Sequence, residues 1–217
     1  MKNALVIGAS GGIGRAVCEV LEADGVAVTR LSRSGDGLEV TDAASVDRVL
    51  GAIEGPFDLV FVAVGVLGTP EKALSALAAD EMARVFAVNA VGPALVLRHV
   101  GRLLAKDAPG VCAVLSARVG SIGDNQIGGW YSYRASKAAL NQIVHGAAIE
   151  LGRSHKQSVV VALHPGTVET PFTADYAGRH KTVPAAQAAR DLLGVMRGVS
   201  PEQSGGFFAY DGSEIPW

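Results

Sequence analysis

The stretch Ala4-Leu5-Val6-Ile7-Gly8-Ala9-Ser10-Gly11-Gly12-Ile13-Gly14 decides the fold. Four apolar residues in a row read as a buried strand. The pattern after them, with Ile13, Val17, Val20 and Leu21 on one face and Gly25 as its stop, reads as a helix over Gly12–Asp24. Between the two lies a turn with glycine at 8, 11, 12 and 14. A turn of this kind aims backbone N–H groups and the positive end of the helix dipole at a pyrophosphate. A Cβ there would block the phosphate or the strand–helix contact. Two spacings fit the same residues: Gly8, Gly12 and Gly14 as G-x-x-x-G-x-G, or Gly8, Gly11 and Gly14 as G-x-x-G-x-x-G.

Working outward, strands alternate with helices. Val26–Leu31 reads as a strand, Asp42–Glu54 as a helix, and Leu59–Val64 as a strand apolar on both faces, as a central parallel strand must be when helices cover both sides. A long helical stretch follows from about Asp80 to Lys106. Then come a strand at Val111–Leu115, a helix at Tyr131–Arg153, a strand at Val159–Leu163, a helix at Pro184–Arg197 and a short strand at Phe207–Tyr210. This alternation predicts an α/β Rossmann-type fold, a doubly wound parallel sheet in three layers, forming one dinucleotide-binding domain over 1–217. One region departs from the pattern. Only Ser32–Gly37 separates the second strand from a third at Leu38–Val40, whereas a parallel crossover needs about a dozen residues. Either a helix is deleted there or the third strand is vestigial.

Composition narrows the function. Of 217 residues 49% are apolar and 18% charged, which excludes a disordered chain. Nineteen basic residues against 21 acidic ones leave a net charge of −2, so nothing points to nucleic acid. The five histidines and two cysteines have no metal-ligand spacing, and no metal site is expected. Cys18 and Cys112 sit in apolar segments and read as buried thiols in a reducing compartment. The start of the chain has no signal-peptide pattern, and the apolar run Leu59–Leu67 is too short to span a bilayer. A cytoplasmic protein acting away from membranes is expected.

The end of the second strand is where a dinucleotide's adenosine ribose is read. An acid there would hold both ribose hydroxyls of NAD. The segment here is Arg30-Leu31-Ser32-Arg33-Ser34, with no acid. Arg33, the serine hydroxyls and Arg15 in the glycine loop suit a 2′-phosphate, which predicts NADP. Further on, Tyr133-Arg134-Ala135-Ser136-Lys137 opens a predicted helix, with Tyr133 and Lys137 one turn apart on one face. A phenol of pKa about 10 is a poor base near neutrality, and a neighbouring ammonium is expected to lower it and make Tyr133 a competent acid/base.

These motifs together resemble the short-chain dehydrogenase/reductase family along essentially the whole chain. They are GASGGIG at Gly8–Gly14, Asn89 in FAVNAVGP, YRASKAALN at 133–141, and Pro165-Gly166-Thr167-Val168-Glu169-Thr170. VGSI, GGWYSYRASKAALN and the ending DGSEIPW are most similar to the C-factor-like carbonyl reductase subgroup. YRASK and PGTVET favour the short type over the extended, sugar-nucleotide-modifying type, as does the lack of a substrate domain after Thr170.

The resemblance implies roles by position. Tyr133 would protonate a carbonyl oxygen as hydride arrives, Lys137 would hold the nicotinamide ribose and tune Tyr133, and Asn89 would hold a water linking Lys137 to solvent. Cofactor contacts would come from Gly8, Ser10, Gly11, Gly12, Ile13, Gly14, Arg33, Val40, Gly65, Tyr133, Lys137, Pro165, Gly166, Val168 and Thr170. The family also dimerises through the helices carrying Asn89 and Tyr133, and Ala138, Ala139, Ala147 and Ala148 would permit such an approach.

Two positions depart from the family. Its N-N-A-G motif falls on Val62-Ala63-Val64-Gly65, where only the glycine remains. Its pair of serines falls on Ser116 and Ala117, and the second, usually the carbonyl-polarising one, is the alanine. Ser116 is the first choice for the catalytic serine and Ser121 another; strand alternation gives Ser116 a different direction from residue 117. The segment Phe172–Val183 corresponds to the family's lid, and Ile122, Trp130, Phe172 and Tyr176 would line an apolar pocket for a small or medium carbonyl compound or alcohol. Two functions follow: an NADPH-dependent carbonyl reductase, or a dinucleotide-binding signalling or sensor protein with little turnover.

Overall fold

The computed structural model describes residues 1–173 and 182–217. Six parallel strands form one sheet: β1 (Asn3–Ile7), β2 (Ala27–Leu31), β3 (Leu59–Val62), β4 (Gly110–Leu115), β5 (Ser158–His164) and, after a separate pair, β8 (Phe207–Ala209). Their order across the sheet is β2-β1-β3-β4-β5-β8. The chain leaves β1 in one direction and crosses to β3 in the other, so a crevice opens at the carboxyl ends of these strands, where such folds bind ligands. The separate pair is β6 (Val168–Glu169) with β7 (Val183–Pro184), which the apolar periodicity does not announce because each is two residues long.

The layers follow from the apolar stripes. Helices α1 (Gly12–Ala23) and α8 (Ala185–Gly198) bury Val17, Leu21, Leu192 and Met196 on one face of the sheet, against Val6, Phe61 and Leu163. The other face is covered by α3 (Ala43–Gly51) and by α5 (Gly92–Leu97), α6 (Val100–Leu103) and α7 (Tyr131–Leu151), with Leu50, Val96, Leu103 and Leu140 packed on Leu5, Val60 and Val114. The central strands are buried on both faces. Cys18 and Cys112 are buried, unpaired thiols, pushed up to about 11 and about 12 by burial.

Two expectations are corrected. No strand forms at Leu38–Val40. The chain after β2 makes one short helix, α2 (Arg33–Asp36), and then coil, and β2 remains the sheet edge. Leu38 and Val40 are nevertheless buried, joining the core between α3 and α5, where Val40 packs against Gly92. Six residues are too few to carry a chain across the sheet and back, so the apolar pair is used as packing instead.

The long helix expected from Asp80 to Lys106 is broken. It runs as α4 (Ala79–Phe86), a π turn at Ala87–Val91, then α5 and α6. Pro93 has no N–H to offer the carbonyl four residues back, which is that of Asn89, and the helix widens there. No helix among the described residues is long and apolar enough to cross a membrane.

Candidate active site

One cavity of about 780 Å³ runs along the carboxyl ends of β1, β3, β4 and β5. At one end is the glycine turn. Gly8 has φ +89°, and a Cβ on it would collide with the carbonyl of Ala63. A Cβ on Gly14 would collide with the Gly8 carbonyl, and one on Gly12 would lie 2.5 Å from Thr170 Cγ2. Gly11 is different: its nearest contact would be 3.3 Å away, and it serves as an extended N-cap of α1. The geometry therefore selects Gly8, Gly12 and Gly14, the G-x-x-x-G-x-G spacing. The residues fit a dinucleotide on this ground: the glycines let the start of α1 pack tightly against the loops after β1 and β3 and against Thr170, and Gly11, Gly12, Ile13 and Gly14 line the cavity at that helix N-terminus.

At the other end are Tyr133 and Lys137, both buried and both on the cavity wall. They sit in the first two turns of α7. The start of that helix is fastened from a distant segment: Trp130 precedes it in the left-handed region, with φ 53° and no capping side chain of its own. The cap comes from Glu71, whose carboxylate accepts from Ser132 N at 3.2 Å and from the Ser132 hydroxyl, while its carbonyl accepts from Trp130 N at 2.6 Å. A carboxylate at a helix N-terminus satisfies free N–H groups and the dipole together. A pairing across 61 residues has no local sequence signal.

Burial sets the charges here. It pushes the Tyr133 phenol above its usual value and the Lys137 ammonium down to about 8. The expectation that Lys137 lowers the phenol is corrected: desolvation of a 6% exposed ring prevails, and Tyr133 is protonated at neutral pH. Lys137 Nζ donates to the Leu115 carbonyl at 3.0 Å. It also lies close to Gly65, where a Cβ would be 3.3 Å from it and 3.4 Å from Asn89 Oδ1.

Asn89 is fully buried in its π turn. Its side chain accepts from Val66 N at 2.7 Å and donates to Val66 O at 2.8 Å and Ser136 Oγ at 3.0 Å, tying the loop after β3 to the tyrosine helix.

The cavity wall gathers Ser10, Gly11, Gly12, Ile13, Gly14, Gly65, Ser116, Tyr133, Lys137, Pro165, Gly166, Val168 and Thr170 from the residues expected. Gly8, Asn89, Arg33 and Val40 are not on it. Gly8 and Asn89 support it from behind, Val40 is in the core, and the Arg33 side chain is 82% exposed, 3.9 Å from Glu39. Ser32 is tied up locally, its Oγ accepting from Gly35 N and its N–H donating to Asp36. Arg15 does line the cavity.

Neither serine offers a free hydroxyl. Ser116 Oγ donates to Asn141 Oδ1 at 2.6 Å, and Ser121 Oγ donates to the Pro216 carbonyl and lies outside the cavity. Ala117 is on the wall. Trp130 and Phe172 flank the Tyr133 ring at 6.2 and 6.1 Å; Ile122 is exposed, and Tyr176 lies outside the described residues. Among the described residues no group of three or more His, Cys, Asp or Glu could hold a metal ion.

Comparison with known proteins decides the family. The model for the short chain dehydrogenases matches residues 2–180. The chain belongs to the short chain dehydrogenase family. This short chain dehydrogenase is 40% identical to C-signal of Myxococcus xanthus over 163 residues, 75% of this chain and 94% of that one. It is 33% identical to 1-hydroxy-2-glutathionyl-2-methyl-3-butene dehydrogenase of a Rhodococcus species, each chain covered in full. Its fold is that of the NADPH-bound carbonyl reductase from chicken fatty liver, with a TM-score of 0.85 at 23% identity, covering 100% of this chain and 99% of that one.

Proposed function

We propose that this oxidoreductase is a single-domain, NADPH-dependent carbonyl reductase, acting as alcohol dehydrogenase in reverse, with Tyr133 and Lys137 as its acid/base pair. The observation that carries the reading is one continuous cavity with a dinucleotide cradle at one end and a buried Tyr–Lys pair at the other. Bound in this cleft, the cofactor supplies hydride to the carbonyl carbon. Gly12, Gly14 and the start of α1 would hold its pyrophosphate, and Pro165, Gly166, Val168 and Thr170, which line the cavity, would form the wall for its nicotinamide end. Arg15 on the cavity wall, with Arg33 exposed just after β2, favours a 2′-phosphate. The bound NADPH of the chicken carbonyl reductase accords with that choice.

Tyr133 acts as the acid. Its raised pKa keeps the proton on the phenol until negative charge develops on the carbonyl oxygen. Lys137 remains mostly charged at neutral pH and stabilises the phenolate left behind, and Asn89 keeps the two segments around it in register. Trp130 and Phe172 beside Tyr133, with Ile127 on the cavity wall, favour an apolar carbonyl compound.

The test is NADPH binding followed by turnover on a panel of carbonyl compounds, with Tyr133→Phe as control. Tyr133-dependent NADPH oxidation supports the reading, and absence of NADPH binding rejects it. Ala117, with Ser116 and Ser121 committed elsewhere, favours a second reading: a dinucleotide-binding sensor with little turnover. Binding without Tyr133-dependent turnover would select it.

A further inference from the structure

His164 is the last residue of β5 and lines the cavity immediately before Pro165 and Gly166. Its Nδ1 is buried with no hydrogen-bond partner. Leaving a buried polar atom unpaired is costly, so such an atom asks for an explanation.

Its surroundings supply one. Leu115 pairs with Leu163, and Ser116 N donates to the Leu163 carbonyl, which sets Ser116 and His164 side by side on adjacent strands. Along β5, Val160 and Ala162 face α7 while Val161 and Leu163 face α1 and α8, so alternation directs His164 to the α7 side. There Asn141 of α7 accepts from Ser116 through Oδ1, and its Nδ2 is also buried without a partner. A donor lacking an acceptor and a ring nitrogen able to accept thus share one buried neighbourhood. A neutral imidazole has one nitrogen of each kind; if Nδ1 accepts, Nε2 carries the proton.

Several polar side chains on the cavity wall already have partners. Ser116 is spent on Asn141, Lys137 on Leu115, Arg134 on the Gly129 and Val119 carbonyls, and Arg118 lies 3.5 Å from Asp124. Ala117 offers nothing polar. We propose that His164, on the cavity wall beside the Ser116–Asn141 pair, donates the second hydrogen bond to the substrate's carbonyl oxygen, in place of a hydroxyl at residue 117. The charged groups that act on the ring are Arg118, after β4, and Asp211, after β8. Burial and Arg118 push its pKa down to about 4 while Asp211 opposes them, so the ring is a neutral donor at neutral pH. No proton leaves it; Tyr133 remains the acid.

The inference rests on the carbonyl-reductase reading, and the experiment separates the two. In the full chain, His164→Leu removes the donor and keeps bulk, and His164→Gln keeps a donor. The expected result is a fall in kcat of about 10²-fold for His164→Leu, with NADPH affinity unchanged, and partial retention in His164→Gln. Adding Ala117→Ser to His164→Leu is expected to restore turnover at least about 10-fold, more than it adds to the parent chain. Should the leucine variant fail to fold, nitrogen NMR of the unaltered protein reads the tautomer, with a neutral ring protonated on Nε2 expected at about pH 7. Tyr133-dependent turnover that survives His164→Leu, or a ring that is cationic or protonated only on Nδ1, overturns the proposal alone. Absence of Tyr133-dependent turnover in the parent overturns the reading and the proposal with it.

Discussion

The two ends of the cavity are built by different means. The cofactor end is backbone: a local turn over Gly8–Gly14, where three glycines admit close approaches that no side chain could share. The carbonyl end is side chains from four separate segments, carrying Glu71, Asn89, the α7 residues Tyr133 and Asn141, and His164, with Glu71, Asn89 and Asn141 each bonded to a partner far away in the chain. The first end tolerates almost no substitution at its glycines but is written in seven consecutive residues. The second could pass a role from one position to another, as the proposed donation by His164 in place of residue 117 would do.

The largest expected effect would break the carbonyl end while sparing the cofactor end. Tyr133→Phe should lower kcat by about 10³-fold with NADPH affinity within about two-fold of the parent, checked by steady-state kinetics and fluorescence titration. Next comes the reverse. Gly14→Ala drives a methyl into the Gly8 carbonyl and should cost about 2–3 kcal/mol of stability together with cofactor affinity. Gly11→Ala, whose methyl would meet only the Gly8 carbonyl at 3.3 Å, should cost clearly less, lowering Tm by no more than about 4 °C. Equal losses in the two would show that the G-x-x-x-G-x-G spacing is not the one in use.

A third effect concerns pH. His164 is neutral in the folded chain above about 4 and takes up its proton below 6.5 when unfolded. Between those values the unfolded chain binds the extra proton, so folding stability declines as pH falls from 6.5 toward 4, by ~3 kcal/mol at most. Denaturant titrations at about pH 7 and pH 5 should show this decline flattened in His164→Gln. The smallest effect is at the cofactor end's rim. Arg33→Ala should reduce the preference for NADPH over NADH about 5- to 10-fold, because an exposed cation adds only about 1 kcal/mol, and Arg15→Ala at the cavity wall should reduce it more. Equal affinity for NADH and NADPH in the parent would remove the 2′-phosphate from the reading.

Sequence periodicity sufficed for the inner strands because β1, β3 and β5 are buried on both faces and each long helix on one, and burial leaves its period in the residues. It misled at Leu38–Val40 and across Asp80–Lys106. Buried apolar pairs do not have to be strands, and a helix can widen at a proline without losing its apolar stripe. Within the site, Tyr133 and Lys137 were legible because four residues on a helix make neighbours. Glu71, Asn141 and His164 were not, since nothing in the sequence near them tells which partner they meet.

The sequence by itself determined most of the order of strands and helices, the glycine turn after β1 and the one-turn spacing of Tyr133 and Lys137, all of them features whose parts lie within a few residues of each other. Tertiary structure alone decided which glycines matter, that Ser116 and Ser121 are spent on other partners, that the phenol's pKa is raised rather than lowered, and that an unpaired histidine stands on the cavity wall. Each of these depends on burial and on long-range pairing, which exist only once the chain has closed on itself.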